Sequence, residues 1–141
     1  MIFVRCSHRM DSRKGSHMLT AQESEEAMTK TNPFAPDPDL RIWMDGRLVP
    51  PSEARVSVFD HGLLYGDGVF EGIRIYNGKI FKEEEHIDRF YESAKCILLD
   101  IEMTRNEVSA AMHEAMAAND IKDGYIRLIA TRGVGLLGIA I

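Results

Sequence analysis

Residues 60–81 read DHGLLYGDGVFEGIRIYNGKIF, a glycine-rich turn that leads into two strand-like runs. Successive side chains of an extended chain point to opposite faces, so the run from Val69 to Tyr76 has two distinct faces. One of these faces carries Phe70, Gly72, Arg74 and Tyr76. Asn77-Gly78 then favours a type I′ turn, because both central positions of that turn need a positive φ. The segment therefore predicts a β-hairpin entered through a tight turn.

The face that carries Phe70, Gly72 and Arg74 has two interpretations. A flat ligand can lie against the glycine while the arginine contacts an anion. Alternatively, the glycines only allow a turn into an edge strand, and Arg74 is solvated. Glycine spacing alone is weak evidence and does not decide between them. A phosphate-binding P-loop is excluded, because no Gly-Lys-Ser/Thr follows the glycines.

Upstream of this segment, the chain changes character near residue 40. Asp45-Gly46 lies between two short apolar runs and predicts a first hairpin with a two-residue type I′ turn, and residues 56–59 (VSVF) predict a short strand. Residues 1–39 lack a periodic apolar pattern and end in a proline-rich run, so they are predicted to be a disordered or non-native N-terminal extension without chemistry. Residues 15–18 (GSHM) match an expression-vector scar, although chance or a later true start explains them equally.

Downstream, apolar residues recur at helical spacing. A stripe between residues 83 and 99 predicts an amphipathic helix: Ile87, Phe90, Tyr91, Ala94, Ile97 and Leu98. Thr104 and Glu107 form a capping-box pattern that begins a second helix. Its apolar face carries Val108, Ala111, Met112, Ala115 and Met116. Residues 125–131 predict a returning strand.

Hairpins, two helices and a strand indicate an α+β fold, a small two-layer domain in which two helices pack on a mainly antiparallel sheet. The regular pattern extends from residue 40 to residue 135, and these are the predicted bounds of the small domain. Residues 136–141 (LLGIAI) are apolar and uncapped, so we expect them to be the interrupted start of an interdomain segment.

The composition excludes several classes of function. The 141 residues carry a formal net charge of −5 with scattered basic residues, so no nucleic-acid partner is expected. Two distant cysteines, Cys6 and Cys96, indicate neither a disulfide framework nor a zinc site, and no metal site is predicted. No apolar run is long enough to cross a bilayer, so no membrane partner is expected and a cytoplasmic location is the default.

The first predicted helix carries another candidate residue. His86 and Arg89 lie one helical turn apart and share a face. Arg89 can reach a phosphate with its fork of donors, although a surface pairing with Glu85 or Glu92 is the more common arrangement for an arginine.

Two further patterns involve pairs of residues. Tyr125 and Arg127 alternate on one face of the last strand, again an aromatic residue beside a cation. Asp60-His61 is not interpreted as part of a hydrolytic triad. Adjacent residues of an extended chain point apart, and no serine or cysteine lies in a nucleophile elbow.

Together, these segments resemble a known family. The matching strings are IWMDG (42–46), VSVFDHGLLYGDGVFEGIR (56–74), YNG (76–78), HIDR (86–89), YESAK (91–95), GYIR (124–127) and TRGVG (131–135). The sequence is similar to the fold type IV (class IV) pyridoxal-phosphate aminotransferases, and especially to the branched-chain amino acid aminotransferases. The GDGVFEGIR string is specific when it is joined to the His-x-x-Arg helix and the Tyr-Ile-Arg strand. The resemblance implies the N-terminal domain of that family.

The resemblance also implies pyridoxal 5′-phosphate as the cofactor and a branched aliphatic substrate. Arg89 would bind the cofactor phosphate through charge-assisted hydrogen bonds. Phe70 and Gly72 would line the pocket that holds the aliphatic side chain.

The same resemblance implies a shared site between subunits. Tyr65 would project into the site of a neighbouring subunit, which implies a homodimer or a higher homo-oligomer. Arg127 would bind a carboxylate of the acidic co-substrate, 2-oxoglutarate or glutamate, with Tyr125 and Arg74 as supports of that pocket.

No catalytic residue is expected in this chain. The family's Schiff-base lysine lies in its second domain, and the six lysines here occur in unlike contexts. Gly135 is followed by LLG, where the family continues differently, and a truncated or frameshifted gene would explain this. The chain is therefore expected to be an inactive N-terminal fragment of a transaminase that moves the amino group between leucine, isoleucine or valine and 2-oxoglutarate.

Alternatives remain open within and outside the family. A D-amino-acid aminotransferase or an aminodeoxychorismate lyase is the nearest, but Gly72 favours the branched-chain group, because threonine commonly replaces that glycine in the others. A different class of function is a non-catalytic dimerising module, or the product of a pseudogene.

Overall fold

A computed structural model describes residues 2–6 and 37–137. For residues 2–6 it describes the backbone only. The strands are β1 (Ile2–Cys6), β2 (Ile42–Met44), β3 (Arg47–Val49), β4 (Gly68–Tyr76), β5 (Lys79–Ile80) and β6 (Gly124–Thr131). The helices are α1 (His61–Tyr65), α2 (Glu83–Cys96) and α3 (Arg105–Ala118). The strands form one sheet in the order β3-β2-β1-β6-β4-β5, and its neighbouring strands run antiparallel. The predicted α+β fold is confirmed.

The longest pairing in the sheet joins β4 and β6. It runs without interruption from Gly68 opposite Thr131 to Ile75 opposite Gly124. Alternate residues of both strands are buried: Glu71, Ile73 and Ile75 on β4, and Ile126 and Leu128 on β6. The opposite parity is the more exposed one, so the two strands together present one face to the helices and leave the other face open.

Both predicted hairpins are confirmed, together with their turn type. Asp45 and Gly46 have φ values of 49° and 89°, and Asn77 and Gly78 have values of 50° and 73°. Two successive positive φ values are characteristic of the type I′ turn, which matches the twist of the flanking strands.

The two long helices cover the buried face of the sheet. Ile87, Phe90 and Ala94 of α2 are buried, as are Val108, Ala111, Met112 and Ala115 of α3. These residues form one core with Trp43, Ile73, Ile75, Ile80, Ile121, Ile126 and Leu128. The capping box of α3 is present: the Thr104 amide donates to Glu107 Oε2 at 2.6 Å, and the Glu107 amide donates to Thr104 Oγ1 at 3.3 Å.

The predicted C-terminal end of α2 is wrong by about one turn. The helix ends at Cys96, and Leu98 adopts a left-handed φ of 55°. Ile97 and Leu98 are therefore turned out of the apolar stripe and are exposed. Helical periodicity does not reveal this end, because both residues continue the stripe in sequence.

One prediction for the N-terminal half is wrong. Residues 56–59 form no strand: the Asp60 amide donates to the Ser57 carbonyl at 3.0 Å, as in a turn, and Val58 is exposed. Within the predicted disordered or non-native extension, residues 1–39, Ile2–Cys6 form β1 between β2 and β6. Backbone pairing with β6 orders this segment, and such pairing leaves no periodic signal in a single short run. Residues 7–36 lie outside the described part of the chain.

A comparison of two phenylalanines tests the position of the core. Phe90 is 2% exposed in the core cluster, whereas Phe81 is 49% exposed after β5. We expect Phe90→Ala to lower the free energy of unfolding by about 3–5 kcal/mol, through lost apolar contact and a cavity. Phe81→Ala should cost about 1 kcal/mol or less. Urea unfolding followed by the fluorescence of Trp43, the single tryptophan, measures both; equal losses would contradict this assignment.

Candidate functional site

Five of the predicted site residues lie on the open face of the sheet. Arg127 of β6 is paired directly with Gly72 of β4, and Tyr125 is paired with Arg74. Residues that pair directly across an antiparallel ladder share a face, and Phe70 shares the parity of Gly72. The structure therefore brings together residues that the sequence pattern placed on two separate strands.

On this face, a cation lies directly on an aromatic ring. The guanidinium carbon of Arg127 is 4.0 Å from the centroid of the Phe70 ring, a cation–π contact. Phe70 is 62% exposed and Arg127 is partly exposed, so the apolar ring and the positive charge can both be reached by a ligand. Arg74 makes a longer contact of the same kind with Tyr76, at 5.3 Å. An apolar surface beside a guanidinium can hold a molecule that has both an aliphatic part and a carboxylate.

Gly72 keeps this face flat. A Cβ atom at this position would collide with the hydroxyl group of Tyr125, which lies across the glycine. Only a hydrogen atom fits in this space, so the tyrosine ring can lie close to the β4 backbone. The glycine predicted to border a ligand therefore also borders Tyr125, its predicted neighbour in the pocket.

Arg89 lies in a second cluster, which the sequence pattern did not predict. Its Nε donates to Glu71 Oε1 at 2.7 Å, and its Nη2 donates to Glu71 Oε2 at 2.6 Å. The partner is thus a carboxylate of β4, and not Glu85 or Glu92 of its own helix. The Glu71 side chain is only 7% exposed, whereas that of Arg89 is 61% exposed. This is a bidentate ion pair with one buried and one accessible partner.

His86 completes this cluster from the same helix as Arg89. Its Nδ1 lies 2.8 Å from Glu71 Oε2 and 3.0 Å from Arg89 Nη2. The ionised carboxylate can only accept hydrogen bonds. Because Nδ1 is closer to Glu71 Oε2 than to Arg89 Nη2, we assign the proton to Nδ1, which then donates to Glu71; Nδ1 and Nη2 lie near each other because both converge on Oε2.

The charges of this cluster support one another. The hydrogen bond from Arg89 holds the pKa of Glu71 below its ordinary value, helped by His86 and opposed by burial of the carboxylate. In turn, Glu71 raises the pKa of Arg89. Within residues 37–137, Nη1 of Arg89 makes no hydrogen bond. Arg89 can therefore donate from its outer edge to an anion while its inner edge stays on Glu71.

The glycine-rich turn before β4 is fixed by two carboxylates. Buried Asp60 accepts from the Leu63 amide at 3.1 Å, as the N-cap of α1, and from Thr131 Oγ1 at 2.8 Å. Asp67 forms a bidentate pair with Arg132, at 2.5 and 3.0 Å. These bonds tie the turn to the end of β6.

The same arginine reaches the end of the first long helix. Arg132 donates to the carbonyls of Ile97 and Leu98 at 2.8 and 3.1 Å, directly after α2. The turn, β6 and the end of α2 therefore share one guanidinium.

Tyr65, the residue predicted to reach a neighbouring subunit, is on the short helix α1. Its ring is partly exposed and meets His61 edge to face, with 5.1 Å between the ring centroids. His61 Nε2 lies 3.1 Å from the Leu136 carbonyl, while Asp60 bonds elsewhere. Asp60 and His61 therefore serve separate structural contacts, as expected for residues that do not form a triad.

No role was predicted for Glu71, although the sequence contains a signal for one. Glu71 alternates with Ile73 and Ile75, so a carboxylate occupies a position with core parity. A charge at such a position needs a buried partner. Cationic residues at helical spacing follow at His86 and Arg89, so the strand and helix patterns taken together would have indicated the pair.

Apart from Tyr65 on α1, the predicted residues form two groups. Phe70, Gly72, Arg74, Tyr125 and Arg127 are on the open face, whereas Arg89 approaches from the helix side. Strand β4 lies between the groups and contributes Gly72 to one and Glu71 to the other. Outside the stretch paired with β5, at Ile75 and Tyr76, β4 has no further strand on that edge within the described residues.

Comparison with known proteins assigns the family. Residues 68–140, slightly more than half of the chain, match the model of the amino-transferase class IV family. The chain belongs to the class IV aminotransferases. The family resemblance is thereby confirmed, and the α+β domain described above is the part of the class IV fold that this chain contains.

Relatives of this class IV aminotransferase chain include proteins with different names. A "Putative branched-chain-amino-acid aminotransferase" of Methanocaldococcus jannaschii is 53% identical over 100 residues, which cover 71% of this chain and 35% of that protein. A D-alanine aminotransferase of Staphylococcus aureus is 44% identical over 94 residues, or 67% of this chain and 33% of that protein. The family is therefore shown, whereas the substrate differs between relatives.

A solved structure shares the fold. The branched-chain aminotransferase of the thermophilic archaeon Thermoproteus uzoniensis, solved with norvaline, aligns with a TM-score of 0.66 and 40% identity. The alignment covers 72% of this chain and 36% of that one. This class IV aminotransferase chain thus spans about a third of the length of the relatives that it matches.

Membrane spans and metal sites are both absent from the part of the chain that the structure describes. None of its helices combines the length and apolar character needed to span a bilayer. Among the same residues, no group of histidine, cysteine, aspartate or glutamate side chains is arranged to hold a metal ion.

The Glu71 pair gives the stability of the chain a pH dependence. Because the folded-state pKa of Glu71 is lowered, its contribution is present above the ordinary glutamate pKa and is lost as the pH falls through the lowered value. At about pH 7, we expect Glu71→Gln to cost about 1–3 kcal/mol, and the difference from wild type should shrink toward about pH 3. Urea unfolding at constant ionic strength measures this. A difference independent of pH would contradict the ion pair.

The contact between Gly72 and Tyr125 can be tested by a double-mutant cycle. We expect Gly72→Ala to destabilise the chain by about 1–3 kcal/mol, since the new methyl group meets the tyrosine hydroxyl. Tyr125→Phe removes that oxygen, so the second substitution should recover part of the loss, with a coupling of about 0.5 kcal/mol or more. Additive effects in thermal or urea unfolding would show that the two residues do not share this space.

Proposed function

We propose that this chain supplies the cofactor-phosphate contact and one wall of the substrate pocket of a branched-chain amino acid aminotransferase. The reaction moves an amino group between leucine, isoleucine or valine and 2-oxoglutarate. The observation that carries the proposal is the Arg127 guanidinium 4.0 Å above the exposed Phe70 ring, beside Gly72. Such an enzyme must accept an aliphatic and an acidic side chain in turn, and this face offers an apolar surface and a cation together.

The cofactor of the proposed reaction is pyridoxal 5′-phosphate, and the donor set of the chain fits its phosphate. Arg89 is accessible, is held by a bidentate partner and keeps an outer edge for an anion. When bound, the cofactor supplies the electron sink that amino-group transfer requires. Arg89 would hold its phosphate, and nothing else in the cluster competes for that edge among the described residues.

Each open-face residue has a proposed part in substrate binding. Phe70 and Gly72 bound the space for the aliphatic side chain, and Arg127 binds a carboxylate of the acidic substrate. Tyr125 of β6 and Arg74 of β4, which are paired across the two strands, support this pocket. No residue of this chain is assigned a catalytic role. The four lysines among the described residues are exposed on hairpin, helix or loop positions, and none of them joins either cluster.

The domain division and assembly are part of the same proposal. Residues 40–135 form the small N-terminal domain, β1 of the preceding residues 1–39 adds a strand to its sheet, and residues 136–141 begin the segment between the domains. Tyr65 reaches the site of a second subunit in a homodimer. Exposed apolar side chains near it, Leu63, Leu64, Val134 and Leu136, support a covered surface there. The low cysteine content fits a cytoplasmic setting.

A D-alanine aminotransferase is the second candidate, because one of the relatives carries that name at 44% identity. Gly72 favours the branched-chain reaction, since the Tyr125 hydroxyl occupies the space that the threonine common at this position in the other group would need. Amide chemical shifts of Gly72, Tyr125 and Arg127 in the labelled chain separate the two. We expect 4-methyl-2-oxopentanoate and 2-oxoglutarate to shift these signals more than pyruvate does; a preference for pyruvate would favour the D-alanine reaction.

The cofactor-phosphate contact is tested with pyridoxamine 5′-phosphate, which has no aldehyde that surface lysines could capture. Its affinity for the chain is compared with that of pyridoxamine by calorimetry. We expect a phosphate-dependent gain of roughly tenfold or more, as for charge-assisted hydrogen bonds. Arg89→Met should abolish the gain, whereas Arg105→Met, which removes an equal charge that pairs with Asp88, should preserve it.

A matching assay addresses activity. The chain mixed with pyridoxal 5′-phosphate, L-leucine and 2-oxoglutarate should form no glutamate above a protein-free control. Turnover by the chain itself would contradict the assignment of the cofactor-bearing lysine to another part of the enzyme. A phosphate-dependent gain that survives in Arg89→Met would contradict the proposed site and favour a non-catalytic module.

A further inference from the structure

We infer that Glu71 is a positioning residue for Arg89. Its buried carboxylate, with His86 as a second contact, holds the guanidinium in one orientation and presents the outer edge of Arg89 to a phosphate. This inference rests on the proposed function, since it takes Arg89 as the phosphate contact. It adds a residue from the strand, with no ligand contact of its own, to the binding machinery.

The position of Glu71 is the first argument. It alternates with Ile73 and Ile75, which are fully buried on the face that meets the helices. An apolar side chain there would extend the core without the cost of desolvating a carboxylate. A buried ion pair is often no more stabilising than apolar residues of similar volume. Core stability alone therefore does not explain a glutamate at this position.

The geometry of the pair is the second argument. Both oxygens of Glu71 are used, Oε1 by Arg89 Nε and Oε2 by Arg89 Nη2. Two parallel bonds fix the plane of the guanidinium as well as its place. The Arg89 side chain is otherwise mostly exposed, and a long exposed arginine loses rotamer freedom when it binds a ligand. Holding it on Glu71 before the ligand arrives reduces that loss.

His86 fixes the carboxylate in turn. Its Nδ1 donates to Oε2 at 2.8 Å, so that oxygen accepts from two donors while Oε1 accepts from one. His86 and Arg89 are on the same helix, and Glu71 is on the strand beneath. The carboxylate is attached to the strand, and two residues of the helix bond to its oxygens. These three hydrogen bonds fix its orientation.

A competing explanation gives the opposite sign. If Glu71 only balanced the charge of Arg89, its negative charge would repel a phosphate, and neutralising it would strengthen phosphate binding. If Glu71 positions Arg89, neutralising it weakens the phosphate-dependent part of binding. The sign of the change therefore distinguishes the two explanations.

The experiment compares the affinities of pyridoxamine 5′-phosphate and pyridoxamine for the complete chain and its variants. The phosphate preference is the ratio of the two affinities. We expect Glu71→Met and Glu71→Gln each to lower this ratio roughly threefold to tenfold, the cost of ordering one long side chain. Glu85→Gln is the matched control. It neutralises an exposed glutamate that pairs with Lys82 and lies on the same helix as Arg89, and it should leave the ratio unchanged.

A spectroscopic signature separates positioning from a purely structural role. In ¹H–¹⁵N spectra, the Arg89 Nε–H should exchange slowly in the wild type, because it is bonded to Glu71 Oε1, and quickly in Glu71→Met. Glu71→Met removes one partner of the cluster only, so the urea midpoint is measured for each variant and binding is compared under conditions in which both are folded. A lower phosphate preference in a folded variant, together with fast exchange of the Arg89 Nε–H, supports positioning.

The outcomes separate the inference from the function on which it depends. If Arg89→Met leaves the phosphate preference intact, the proposed function fails. If Arg89→Met abolishes the preference while both Glu71 variants keep or increase it, only the positioning role fails. If Glu71→Met does not fold, Glu71→Gln decides, because it keeps the volume and one oxygen acceptor. Failure of both variants to fold would make Glu71 a structural residue and overturn the inference.

Discussion

The pairing of β4 with β6 is the constraint on which the rest of the molecule depends. Its register fixes which side chains lie opposite one another over the whole length of both strands. A shift of β4 by a single residue against β6 would bury Phe70 and Arg74 and expose Ile73 and Ile75. The apolar parity of both strands therefore selects the register, and the register alone places Gly72 beside Arg127 and Tyr125 beside Arg74.

The same strand serves two purposes because its two faces have different neighbours. The open face receives aromatic and cationic side chains from both strands, while the covered face packs on α2 and α3. Glu71 is the exception to this division, since it is a charged residue on the covered face. Its charge is neutralised by Arg89, which is itself accessible, so the ion pair connects the core to the surface.

Local features of the fold could be predicted from the sequence because their causes are local. Asn77-Gly78 and Asp45-Gly46 determine their own turns, and Thr104 with Glu107 determines the start of α3. The open-face residues could be placed for the same reason, since strand parity needs only neighbouring residues. The end of α2 at Cys96 could not, because Ile97 and Leu98 continue the apolar stripe in sequence while the chain turns away.

Features that depend on distant residues were missed. β1 is ordered by pairing with β6, more than a hundred positions away, and residues 56–59 have strand-like composition but no strand beside them. The Glu71 and Arg89 pair joins a strand to a helix, so neither pattern alone reveals it. Strand parity also does not show on which face of the sheet the helix that carries Arg89 packs.

The guanidinium of Arg132 has a consequence for the motions of the chain. It bonds at once to Asp67 in the glycine-rich turn and to the carbonyls of Ile97 and Leu98. Opening either segment leaves the guanidinium held from one side only, which weakens its hold on the other segment. We therefore expect the local unfolding of the turn that carries Tyr65 to be coupled to that of the end of the helix that carries Arg89.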